Sequence, residues 1–224
     1  VDAMIPLAGL KSTATHDAAG RLSWVNQVGF AMIDEIEFTV GQQVIQTITG
    51  RQLQLENEFM RDPDYRYGSM IGEGSLDAAG EVETTSDTCA SLAYDTGTTT
   101  ATAGTVPEKQ LIVPLGLFFS KHPSSYFPLT AIATCNEIKC TIKWRDWKDL
   151  YQLEGTGAAV AAAPSIDCTL RGHFVHVTGV EAQTLASKEH VRLMSLTQRQ
   201  SEVFTMKNNT TKTQQINLNF LHPI

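Results

Sequence analysis

In "DEIEFTV", residues 34–40, apolar and polar side chains alternate one by one, Ile36, Phe38 and Val40 against Glu35, Glu37 and Thr39. A period of two belongs to an extended chain, because successive side chains of a strand leave opposite faces of the sheet. The stretch reads as a half-buried strand with Ile33, Ile36, Phe38 and Val40 in a core and Glu35 and Glu37 on the wet face. Gly41 permits a turn, and "QQVIQTI" continues extended. The pattern returns in "AIATCNEIKCTIKW", 131–144, with Ile132, Ile138, Cys140, Ile142 and Trp144 on one face and Lys139 and Lys143 on the other. "LIVPLGLFF", 111–119, is a continuous apolar strand whose Pro114 marks an edge or a bulge. "DCTLRGHFVHV", 167–177, is another strand, and Ile216, Leu218 and Phe220 alternate in "QQINLNFLHP".

One helix is expected, "GRQLQLENEFMRD" at 50–62, with Leu55 and Phe59 inward, joined by Leu53 and Met60, and Pro63 as its stop. Residues 68–109 are rich in Gly, Ser, Thr, Ala and Asp and too long for an ordinary connection, so they read as a projecting, exposed loop. Residues 154–165 form a second loop and 180–190 a polar connection. No βαβ rhythm appears, and an all-β antiparallel sandwich or jelly roll fits.

Charge and composition exclude some functions. The net charge is −7, with no Lys/Arg run, so the basic surface that phosphate contact needs is missing and direct nucleic-acid binding is not expected. No apolar run approaches the ~20 residues of a membrane-spanning helix. There is no signal peptide, but Val1 is not an initiator, so the true N-terminus is expected upstream. Only 18% of residues are charged, and the 26 threonines supply much of the neutral polar surface as well as β-branched strand formers.

No motif assembles a catalytic, cofactor or metal site. Asp34, Glu35 and Glu37 would do acid–base work only if two carboxylates converged across a cleft, and a solvated strand accounts for them. "GTGAAV", 155–160, departs from a dinucleotide fingerprint, since Val160 stands where Gly or Ala is needed and the preceding "YQLE" is polar. His173 and His176, three apart on a strand, face opposite ways, and His16, His122, His190 and His222 are scattered. Cys89, Cys135, Cys140 and Cys168 lack paired metal spacing and read as buried reduced thiols. No G-x-S-x-G elbow occurs. Asn208 and Asn209 each open an N-x-Thr sequon within a turn. No enzyme is expected.

The stretch "WVNQVGFAMIDEIEFTVGQQVI", 24–45, resembles the major capsid proteins of nucleocytoplasmic large DNA viruses, whose W-x-N-x-x-G-x-x-x-I-x-x-(V/I)-E motif is carried here by Trp24, Asn26, Gly29, Ile33, Ile36 and Glu37, with Gly41 and Gln42 in the following turn. "LIVPLGLFFSKHPSSYFPLTAI", "NEIKCTIKW" and "INLNFLHPI" are similar to later family segments in the same order. The resemblance implies a double jelly roll, with residues 1–180 the first barrel and 181–224, through "VRLMSLTQRQSEVF" and "QQINLNFLHPI", the start of the second. It implies a homotrimer forming a pseudo-hexagonal capsomer in an icosahedral virion shell. Its partners would be neighbouring capsomers and minor capsid and penton proteins. It also implies that the chain is a piece of a longer protein, lacking opening strands and most of the second barrel, and that alone it aggregates or stays partly unfolded. The alternatives are a carbohydrate-binding, lectin-like sandwich and a hydrolase on the same scaffold. Against a sugar platform, Trp144 and Trp147 are three apart and on a strand point to opposite faces.

Overall fold

The computed structural model describes residues 1–12, 20–60, 67–83, 86–94, 101–102, 104–132, 137–154, 159–160, 165, 167–192, 194–200, 203, 213 and 215–217. Twelve strands occur among them: β1 (Asp2–Leu7), β2 (Leu10–Lys11), β3 (Gly20–Trp24), β4 (Ile33–Val40), β5 (Gln43–Thr49), β6 (Cys89–Tyr94), β7 (Ala101–Thr102), β8 (Thr105–Val106), β9 (Lys109–Pro114), β10 (Ile138–Trp144), β11 (Tyr151–Leu153) and β12 (Thr169–Arg171). Short helices intervene: α1 (Val28–Ala31), α2 (Gly50–Leu55), α3 (Leu129–Ile132) and α4 (Gly179–Ser187). The strands order as β12-β1-β9, β10-β4-β5, β11-β3-β6-β7 and β2-β8. Every pairing between these strands is antiparallel. The fold is all-β, as the alternation requires. One apolar core joins Ala3, Ile5 and Leu7 of β1, Leu22 and Trp24 of β3, Ile36 and Phe38 of β4, Ile48 of β5, and Leu111 and Val113 of β9.

Strand β4 behaves as its pattern demands. Ile33, Ile36 and Phe38 are buried and Val40 is only half-buried, while Glu35 and Glu37 share the opposite face with Lys143 of β10. Ile33 and Ile36 are an odd number apart, which a regular strand would send to opposite sides. A bulge resolves this: Glu35 pairs with Lys143 and Ile33 with Trp144, leaving Asp34 as the extra residue. The strand turns into β5 through Gly41, whose φ of +63° favours glycine. A second bulge, where Phe38 faces Gln46 and Thr39 faces Val44, skips Ile45. Gln46 is buried, and its Oε1 accepts from the Phe118 backbone N–H at 2.9 Å. Among the described strands β9 pairs with β1 alone, so Pro114 sits on an edge there.

Several expectations fail. Helix α2 is followed by a π-helical turn at Glu56–Met60, and it buries Leu53 and Asn57, one turn apart. Of the residues expected inward Leu53 is buried, but Leu55 is 48% exposed and Phe59 82% exposed, so the inward face is only partly the one the apolar pattern chose. The Thr49 side chain caps α2 by accepting from Gln52 N–H. Next to it, Gly50 lies against the Phe30 and Ile33 carbonyls, and together these set the helix rotation. Residues 68–109 are not simply a projecting loop: Ile71, Val82, Cys89 and Val106 are buried, β6 pairs with β3, and β8 pairs with β2. The apolar run at 111–119 leaves the strand after Pro114 and ends in a 3-10 turn at Phe118–Ser120. The segment 131–144 begins as the end of α3, and strand starts only at Ile138. Of 167–177, only Thr169–Arg171 pairs, with β1.

The polar connection at 180–190 is mostly α4. Thr178 and Glu181 form a capping box: the Thr178 hydroxyl accepts from Glu181 N–H at 3.4 Å, and Thr178 N–H donates to Glu181 Oε2 at 3.0 Å. No residue of α4 is buried, so its ends matter more than its faces. The backbone hydrogen bond from Thr178 holds the Glu181 carboxyl below its ordinary pKa. A lowered folded pKa contributes above the unfolded value and is lost as pH falls through the folded one. Thr178→Ala is therefore expected to lower amide protection, relative to the intrinsic exchange rate at the same pH, across 179–187 at neutral pH, and acidification of the unaltered protein to lower that protection as well. Unchanged exchange in the variant would show that the cap does not hold the helix. The described residues of 191–200 hold no regular element, and residues 204–212 and 218–224 lie outside the described set.

Candidate functional site

The motif of residues 24–42 is where a site would be sought, and its side chains serve the scaffold. Trp24 ends β3 and is 2% exposed. Asn26 Oδ1 accepts from the N–H groups of Gln27 at 3.1 Å and Gly74 at 3.0 Å, tying the start of α1 to the 72–76 segment. Gln27 takes φ +54°, a left-handed conformation uncommon outside glycine. A side chain at Gly29 would place its Cβ 2.8 Å from Val113 Cγ2 and 3.0 Å from Ile71 O. A side chain there would force Val113 and the Ile71 backbone to shift, because α1 packs closely on β9 and on the 68–71 turn.

Two carboxylates on the acidic face of β4 share one lysine. Lys143 Nζ donates to Glu35 Oε2 at 2.7 Å and to Glu37 Oε1 at 2.8 Å, while Arg145 reaches Asp34 Oδ1 at 3.6 Å. Glu35 and Glu37 thus share a cation across a strand pair, an arrangement with no cleft between them for a substrate. Their hydrogen bonds raise the Lys143 pKa above the ordinary lysine value. A raised folded pKa gives a contribution that is complete below the unfolded value, ~10.4, and lost as pH climbs through the folded one. Lys143→Gln is expected to lower the melting temperature slightly near neutral pH, with the difference shrinking in high salt because the pair is exposed. Glu35→Gln should cost less, since Glu37 still holds the ammonium. A large, salt-independent loss in thermal melts of either variant would contradict this.

At one end of the core, Phe38 meets Phe118, Phe119 and Phe127 at ring-centroid distances of 6.0, 5.1 and 5.6 Å. Beyond them opens a groove of about 490 Å³ lined by Phe119, Tyr126, Phe127, Leu129, Phe174 and Arg192, among others. Phe174 and Val175 are 64% and 62% exposed. The groove is apolar and carries no group arranged for chemistry.

The family model described as the major capsid protein N-terminus matches residues 4–191. The chain belongs to the major capsid protein family. Capsid protein 1 of Acanthamoeba polyphaga mimivirus is 24% identical over 203 residues, covering 90% of this chain and 32% of that protein. Probable capsid protein 4 of the same virus is 23% identical over 140 residues, covering 62% of this chain and 23% of that one. The chain thus spans about a quarter to a third of the length of these relatives. The resemblance read in residues 24–45 is confirmed at the level of the family, and membership places the protein in the virion shell.

The remaining candidates of this capsid-family chain are dispersed. His122 Nδ1 caps the turn at Pro123–Ser125 by accepting from Ser124 N–H. His190 Nε2 lies 2.6 Å from Leu185 O, and His173 and His176 are exposed outside any element. Desolvation pushes the thiols of Cys89, Cys140 and Cys168 up, and all three are free, but only Cys89 is buried while Cys140 and Cys168 are half-buried. Among the described residues no group of three or more His, Cys, Asp or Glu side chains could hold a metal ion. Trp144 packs on the core, whereas Trp147, on a 3-10 turn, stacks on Tyr151 at 5.2 Å. No described helix is long and apolar enough to cross a membrane. His16, Cys135, residues 155–158 of "GTGAAV", Asn208, Asn209 and His222 lie outside the described residues.

What the motif reading missed is Arg21. Its guanidinium meets Glu154 at 2.9 Å, Asp77 at 3.2 Å, and Glu81. One cation thereby binds β3, the 75–82 segment and the end of β11. The three carboxylates sit 56 to 133 positions away, so no local spacing announces them.

Proposed function

We propose that this chain is the shell-forming part of a viral major capsid protein, acting by self-assembly rather than catalysis. Three copies of the full-length protein form a pseudo-hexagonal capsomer, and capsomers tile an icosahedral shell, where they meet neighbouring capsomers and minor capsid and penton proteins. Residues 1–180 are the first barrel on this reading, and 181–224 open the second. Symmetric copies bury matching surfaces, and closed geometry ends growth.

The observation that carries the reading is the use of the family motif. Trp24, Asn26, Gly29, Ile33 and Ile36 are spent on packing and backbone tethering, and Glu37 on a surface ion pair. On this reading closed barrels consume the strands, which leaves loops and helix ends to make contacts between copies. The test is light scattering on the purified full-length protein, followed by electron microscopy of concentrated sample. A trimer that assembles into hexagonal arrays is expected. A monomer that forms no array and binds oligosaccharides on a glycan array would overturn the proposal and favour a carbohydrate-binding module.

A further inference from the structure

We draw no further inference here: the strongest candidate, the apolar groove between the Phe119–Phe127 aromatic cluster and the exposed Phe174–Val177 segment, carries nothing because nothing among the described residues shows what covers it.

Discussion

Phe38→Ala is expected to destabilise the protein by about 3–5 kcal/mol, the range for removing a buried phenylalanine ring. Phe38 is 3% exposed and is the one ring of its cluster that belongs to a central strand, β4 between β10 and β5. Its neighbours Phe118, Phe119 and Phe127 come from the segment after β9, so the ring fastens that segment to the sheet. The groove is next to the site, which lets water reach part of any cavity. This should hold the loss toward the lower part of the range and leave Phe38→Leu well below it. Urea unfolding followed by tryptophan fluorescence would report the midpoint, and by linear extrapolation the free energy. A loss under about 1 kcal/mol would mean that the four rings do not act as core.

Gly50→Ala should also be strongly destabilising, although it replaces glycine in a helix. In an exposed helical position the same change gains roughly 1 kcal/mol, because alanine has the better propensity. Gly50 opens α2, and a Cβ there would overlap the carbonyl oxygens of both Phe30 and Ile33. These are backbone atoms at the junction of α1 and β4, so no side-chain rotation clears them. The loss should reach or exceed the ~1–3 kcal/mol of ordinary overpacking. Gly179 supplies the control: it opens α4, and nothing lies within 4 Å of a Cβ there. Gly179→Ala should be neutral or slightly stabilising. If both variants melt together with the parent, the close approach of α2 to the α1–β4 junction is not a constraint on the fold.

The sequence by itself determined the all-β class, the inward and wet faces of β4 and β10, the turn at Gly41 and the placing of Pro114 at an edge or a bulge, of which the structure shows the edge. Each follows from geometry within a few consecutive residues, since a strand's alternation, a left-handed turn or a missing N–H needs no distant partner. The motif of residues 24–42 also identified the family, although it did not say what each residue does. Tertiary structure decided the rest. Leu55 and Phe59 look as suited to a core as Leu53, but α2 is turned by the contact of Gly50 with Phe30 and Ile33. The segment 68–109 reads as loop by composition, yet β6 finds a partner in β3, with Leu92 opposite Gly20. Its weak β patterning is offset by pairing with a strand far away in the chain, which composition cannot register. Helix α4 is the intermediate case: the Thr178–Glu181 spacing is a legible helix start, but the polar surface of 179–187 has no apolar period to support it. Asp34 could be read as polar but not as a bulge, because a bulge exists only relative to the partner strand and its register.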